Sequence, residues 1–286
     1  MQTTGIFQIH KFEIPFEKYG EPIYLIPFGD VHRSSPLCHL EKWREFLEWA
    51  RRKKRVYFLG MGDYDDLASA SERDILGEKK LHESTQKTIQ QLYLDNTKRF
   101  YKEISFMRDR VVGLVEGNHY GMFPNGATTT QKLAEFLGCQ YLGVSAFIRL
   151  IFKHTGRGNT TNSIDIWAHH GKGAARLIGG SLNRVQQMME AAEASIYLMG
   201  HDHKKSVGLV TRLSLRGQNG LRLHHDKKLF ARTGSFLKGY ESGEASYIAD
   251  SAMNPTDLGV IKIELTPRRE QRGDVDFSYI DIHASI

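Results

Sequence analysis

The chain has 286 residues, enough for one large domain or two small ones, with 40% hydrophobic and 25% charged residues, the balance of an ordinary globular protein rather than a disordered or fibrous one. Lys and Arg total 39 against 33 Asp and Glu, a net charge of +6 that suits a phosphorylated or polyanionic partner without requiring one. Cys38 and Cys139 stand far apart in no metal-binding spacing, which points to a reducing, cytoplasmic setting. No apolar run approaches the ~18 residues of a membrane span, and charges interrupt the opening MQTTGIFQIHKFEIPF, so neither a membrane segment nor a signal peptide is expected.

In chain order, short apolar runs keep ending in Gly, Asp, Asn or His. IYLIPFGD ends at Asp30, VYFLGMGD at Asp63, VVGLVEGNH at His119, SIDIWAHHG beside His169 and His170, and SIYLMGHDH at His203. Each is of strand length, rich in Val, Ile, Leu, Tyr and Phe, and without polar alternation, as in strands buried on both faces. Helical patterns separate the first three. CHLEKWREFLEWARRKK carries Leu40, Trp43, Leu47 and Ala50 on one stripe. The region from about Leu81 to Arg108 carries Ile89, Leu92, Phe100 and Ile104, and TTTQKLAEFLG offers Thr128 to Thr130 as caps and Gly138 as a stop. Strands alternating with helices imply parallel pairing under covering helices. The Lys-, Glu- and Gln-rich piece within about 64–108 reads as a helical cap over a site. The second half, with AFIRLIFKH, SIDIWAH, SVGLVTRLSL, LRLHHDKKLFAR, GVIKIEL and DFSYIDIHA and one helix around Leu182 to Ala192, predicts a second, more antiparallel sheet. The expected fold class is α/β, a two-sheet sandwich flanked by helices, and with no linker in view it forms a single domain over 1–286.

Ligands of open α/β sheets gather beyond the carboxyl ends of the strands, so these polar endings can converge from distant parts of the chain. Side chains two apart on a strand end point the same way, which pairs Asp30 with His32 and His201 with His203. Carboxylates, an amide and imidazoles without cysteine suit Mn, Fe, Zn, Co or Ni better than Ca or Mg. The candidates are too many for one tetrahedral ion and suit two metals sharing a carboxylate, ~3.5–4 Å apart.

Taken together, GDVH (29–32), GMGDYDD (60–66), GNH (117–119), AHHG (168–171) and GHDH (200–203) resemble, in order and approximate spacing, the calcineurin-like metallophosphoesterase superfamily. The resemblance covers about Tyr24 to His203, and TGSF (233–236) looks like a late Gly-Ser segment of that family. Each block alone is common; the ordered set is specific. It implies the metallophosphoesterase fold and hydrolysis of a phosphate ester with two divalent ions, Mn favoured. By the same resemblance, Asp30, His32 and His203 hold the first metal. Asn118, His201 and one of His169 or His170 hold the second, with His169 preferred because related His-His pairs use the first histidine. Asp63 bridges the two, and His119 stands beside the scissile phosphate as a non-ligand, able to donate a hydrogen bond to the phosphate or a proton to the leaving oxygen. Members of the family often place Asp or Glu after Gly-Asn-His to orient the histidine. Tyr120 stands there in this chain, which leaves the task to Glu116 or another group, or leaves His119 less basic; Asp66 falls where the family often has Asp or Asn. The expected substrate is a phosphodiester, nucleic acid included. A phosphomonoester or phosphoprotein is the alternative, and a non-catalytic metal-binding scaffold a further one.

HGKGAAR (170–176) is no P-loop, because Ile166 stands where a Gly is needed and Gly173 where Ser or Thr is needed. Lys172 and Arg176, with Arg33 and Lys204 beside the ligand blocks, are candidates for a phosphate-binding rim. RRKKR (51–55) reads as a basic helix end meeting the dipole, and LHHDKK (223–228) as a strand or turn with exposed histidines.

Overall fold

A computed structural model describes residues 8–78, 81–156, 161–216, 221–272 and 275–286. It begins with a strand that the sequence patterns had passed over, β1 (Gln8–Phe16), in which Phe12, Ile14 and Phe16 alternate with Lys11 and Glu13. β2 (Ile23–Phe28) leads into α1 (Leu40–Arg52), which buries Trp43, Phe46, Leu47 and Ala50 at helical spacing. The basic run ends that helix as expected. Arg51 lies over the Phe106 ring, and Arg55 pairs with Glu21. β3 (Val56–Gly60) follows, then α2 (Ala70–Glu78), α3 (Glu83–Ile104), β4 (Val111–Leu114) and α4 (Thr129–Leu137). α4 opens on a capping box between Thr128 and Gln131 and closes on Gly138 at φ 64°, a conformation glycine adopts without a Cβ penalty.

The later elements are β5 (Ser145–His154), β6 (Thr161–His169), α5 (Ile178–Ala191), β7 (Ile196–Met199), β8 (Lys205–Arg216), β9 (Arg222–Ser235), the short α6 (Tyr247–Asp250), β10 (Gly259–Val260), β11 (Lys262–Arg272) and β12 (Val275–Ser285). Among the described residues one sheet runs β12-β11-β2-β3-β4 and the other β1-β5-β6-β7-β9-β10, with β8 paired to β9. β2, β3 and β4 are parallel, and so are β6, β7 and β9. The fold is therefore an α/β sandwich of two sheets with helices outside them. One expectation fails. Only the first two residues of GVIKIEL, β10, join the second sheet by pairing with β9; from Lys262 on, β11 pairs antiparallel with β2, Ile263 opposite Leu25, and brings β12, DFSYIDIHA included, into the first sheet. Pairing there satisfies the backbone edge of β2 that β3 leaves open.

Between the sheets lies a core of Ile14, Ile148 and Phe152 against Leu25, Leu59, Val112 and Ile263. Outside the first sheet, Trp43, Phe46 and Phe100 pack on Phe28 and Phe58, with Trp43 stacked on Phe100 at 5.6 Å. Each such ring buried contributes roughly 1.5–3 kcal/mol. The segment read as a cap is partly a layer of this core. Tyr93, Thr97, Phe100 and Ile104 face inward at helical spacing along the second half of α3, while Leu92, just ahead of them, is exposed. Outside the second sheet, Val185 and Met188 of α5 meet Tyr197 and Phe230. No described helix is long and apolar enough to cross a membrane.

Candidate metal centre

The strands stop before the polar blocks begin. β2 ends at Phe28, β3 at Gly60 and β7 at Met199. Asp30, His32, Asp63, His201 and His203 all take positive φ, between 47° and 71°; among the described residues the other non-glycine residue with a comparable φ is Ala252. Asp and His tolerate this left-handed conformation better than most residues, though each instance costs on the order of 1–2 kcal/mol. The side chains of Asp30 and His32, and of His201 and His203, thus come together through left-handed turns, not through the strand alternation that first paired them.

Backbone contacts hold the turns. Asp30 N–H donates to Gly62 O at 2.9 Å, and Val31 and His32 N–H donate to Asp63 O at 2.8 and 3.1 Å. The Asp30 carbonyl accepts from Ser235 Oγ at 2.9 Å and Phe236 N at 3.0 Å, which gives the TGSF segment a supporting task at the end of β9. Gly62 and Gly117 allow close approaches at the centre. A Cβ on Gly62 would lie 2.5 Å from His170 Nδ1, and one on Gly117 2.0 Å from Asp63 Oδ1.

Among the described residues, ligand atoms lie within 4.8 Å of one another in Asp30, His32 and His203, a first set, and in Asp63, His170 and His201, a second; His32 is also that close to Asp66 and His119. In the second set Asn118 Oδ1 lies 2.8 Å from both His170 Nε2 and His201 Nδ1, and those nitrogens are 3.3 Å apart. Such separations match donors held ~2.0–2.1 Å from a common ion. Asp63 stands between the sets: Oδ2 is 3.2 Å from His170 Nε2 and 3.8 Å from His32 Nε2. Its Oδ1 accepts from the N–H groups of Asn118 and His119 at 2.6 and 2.9 Å.

The charges fit a cation. Asp30 Oδ1 and both ring nitrogens of His32 are buried without a hydrogen-bond partner in the protein, a costly state that a metal would relieve. Burial, with Asp63 nearby, pushes the Asp30 carboxyl up to about 7. Burial also opposes the charge on Asp63, but His170 and His32 outweigh it and hold that carboxyl well below the usual range. Burial lowers the His203 imidazole far, and lowers His201 to about 4, so both present neutral lone pairs. His170 is opposed by burial, yet Asp63 raises it to about 9; its Nδ1 donates to Met61 O at 2.7 Å, which aims Nε2 into the centre. These His and Asp groups can bind metal.

Of the two paired histidines left open as ligands, the geometry places the second, not the preferred first, among the donors. It is His170 whose ring reaches Asp63 and Asn118; His169, the last residue of β6, has its Nδ1 occupied by the N–H of Gly171 at 2.7 Å and joins neither set. We expect His170→Ala to weaken metal affinity by at least tenfold in a titration and His169→Ala to change it less than threefold. The reverse order would return the ligand role to His169.

His119 lies at the edge of the first set, its ring 4.8 Å from that of His32. Its Nδ1 is 2.7 Å from Asp66 Oδ1, and Asp66 Oδ2 is 3.8 Å from His32 Nδ1. Burial opposes the charge on Asp66, but His119 and His32 more than offset it and lower its pKa. Asp66 is therefore the acidic partner of His119. Glu116 is not, because its buried carboxyl accepts from Thr128 Oγ1 at 3.0 Å.

The four rim candidates are differently placed. Arg33 forms a forked pair with Glu103 of α3, with Nε 3.0 Å and Nη2 2.9 Å from Oε1. Arg176 donates to Ser251 O at 2.8 Å, and Lys204 Nζ sits 3.5 Å from Asp202 O. Lys172 is exposed and makes no ion pair among the described residues.

No protein-family model matches the chain, and no curated protein matches it. Among solved structures it is similar to a conserved uncharacterized protein, a predicted phosphoesterase from Streptococcus pneumoniae TIGR4, with 15% identity, 91% of this chain and 99% of that chain covered, and a TM-score of 0.32.

Sequence reading missed the supports of the centre. Arg232, buried on β9, donates to Gly200 O at 2.8 Å and Ser181 O at 3.1 Å, while Ser181 Oγ donates to Asp202 between the two histidines of the 200–203 turn. A buried arginine in a run of apolar strand residues was the available signal, since it must find acceptors.

Proposed function

We propose that this chain hydrolyses phosphate esters with two divalent metal ions, manganese favoured, and that its substrate is a phosphodiester, nucleic acid included. The observation that carries the reading is Asp63, whose carboxylate lies between two histidine-rich donor sets. Asp30, His32, His203 and Asp63 would hold one ion, and Asp63, Asn118, His170 and His201 the other. Bound there, such a pair acts as a Lewis acid on phosphate oxygens and makes water acidic enough to react near neutral pH. The protein supplies the rest. Two aspartates leave a site filled by two divalent ions with surplus positive charge, which attracts a phosphate anion. Asp66 holds His119 through Nδ1 and so leaves Nε2 to hydrogen-bond the phosphate or protonate the departing oxygen. The preference for a diester rests on the net charge of +6 and is the first point to test.

The test is a panel of aryl monoesters, aryl diesters, cyclic nucleotides, DNA and RNA with Mn²⁺, alongside elemental analysis of the reconstituted protein. Expected are two ions per chain, activity lost on chelation and restored by Mn²⁺, and turnover of diesters. Release of inorganic phosphate from monoesters alone would make it a phosphomonoesterase or protein phosphatase. Metal binding without turnover of any ester would make it a scaffold, and zero stoichiometry under saturating metal would end the reading.

A further inference from the structure

We propose that Arg73, at the start of α2, is a positioning residue that clamps the 118–120 segment into the shape the centre needs; the proposal rests on the phosphoesterase reading above. α2 begins with Ser69 and Glu72 capping each other: Ser69 N–H donates to Glu72 Oε2 at 2.7 Å, and Glu72 N–H to Ser69 Oγ at 3.3 Å. This fixes the first turn and with it the direction of Arg73. One guanidinium nitrogen, Nη1, then lies 2.5 Å from Ala68 O, 2.8 Å from Asn118 O and 3.1 Å from Tyr120 O. The guanidinium carbon sits 3.8 Å from the centre of the Tyr120 ring, within cation–π range. Leu67 N–H donates to the intervening carbonyl of His119 at 3.2 Å. Three consecutive carbonyls are thus held from the α2 side, while the Asn118 and His119 N–H groups are held by Asp63 from the other.

The consequence is specific to the two side chains in the middle. With the backbone pinned on both sides, Asn118 turns its amide oxygen between His170 and His201, and His119 meets Asp66. Tyr120 is then a platform for the clamp and not a replacement for an acidic partner of His119. A planar guanidinium suits this task better than an ammonium, because it donates in its plane and stacks through its face.

The experiment uses Arg73→Ala and Arg73→Lys, with amide hydrogen exchange of the metal-free protein and steady-state kinetics of the Mn²⁺ form. In Arg73→Ala, exchange at Asn118 and His119 is expected to rise by roughly tenfold or more while the sheets keep their protection. We expect kcat to fall by ~10²-fold with KM within about threefold, since misplacing a reacting group by about an ångström has that effect. Added guanidinium ion should restore part of kcat in Arg73→Ala and none in the wild type, and Arg73→Lys should lie between them. If Arg73→Ala does not fold, Arg73→Lys carries the same measurements. Unchanged exchange at 118 and 119, or a rise spread evenly over the molecule, would overturn the clamp. Wild-type protein inactive on every ester would remove the phosphoesterase reading instead, and the exchange data would still decide whether Arg73 holds the segment.

Discussion

Asp63→Asn is expected to lower kcat/KM by on the order of 10³-fold or more and to cut bound metal to one ion per chain or fewer. The carboxylate does two things at once. Oδ1 accepts two backbone N–H groups, and Oδ2 faces both donor sets. An asparagine oxygen can replace Oδ1 and keep the Asn118 and His119 amides in place, but its NH₂ group then points at imidazole nitrogens and carries no charge. In the proposed two-ion centre, losing the shared anion would remove several kcal/mol of stabilisation, and each ~1.4 kcal/mol is tenfold in rate. Calorimetric metal titration and kinetics on one preparation check this, with the melting temperature followed to show that the fold survives. Wild-type turnover with two ions bound would remove Asp63 from the bridging position.

His119→Ala is expected to lower kcat by ~10²–10⁴-fold for an ester with an alkyl leaving group, the range for lost general acid catalysis, and by much less for a nitrophenyl ester, which departs without a proton. The contact with Asp66 fixes the ring so that Nδ1 faces the carboxylate. Asp66→Asn keeps an oxygen acceptor and loses the charge, so its loss should fall between wild type and His119→Ala and follow the same dependence on leaving group. Metal content should stay unchanged in His119→Ala. Equal losses for both leaving groups would assign His119 to binding phosphate, and lost metal would make it a ligand. Because the Tyr120 ring lies under Arg73, Tyr120→Asp is not expected to shift the pH profile, contrary to what the position after Gly-Asn-His suggests.

Much of this centre could be read from the chain alone. Strands buried on both faces read as nearly continuous apolar runs, so polar residues gather mostly after a run stops, and Asp30, Asp63, Asn118 and His201 stand past such stops. The stripe of Trp43, Leu47 and Ala50 and the Thr128 cap were equally local signals, and α1 and α4 formed on them. The rest depended on contacts between distant segments. His169 and His170 follow the same apolar run. What separates them is that His169 ends β6 while His170, one residue beyond, meets Met61, Asp63 and Asn118 from the loops that follow β3 and β4. β11 joined β2 because an open strand edge needs a partner, and the choice of edge is not written in an alternating pattern. Asp66 reached His119, and Arg73 the carbonyls around it, across gaps of more than forty residues. A backbone carbonyl is the same at every position, so no residue spacing announces which arginine will bind it, and that was settled by the packing of α2 beside the 118–120 turn.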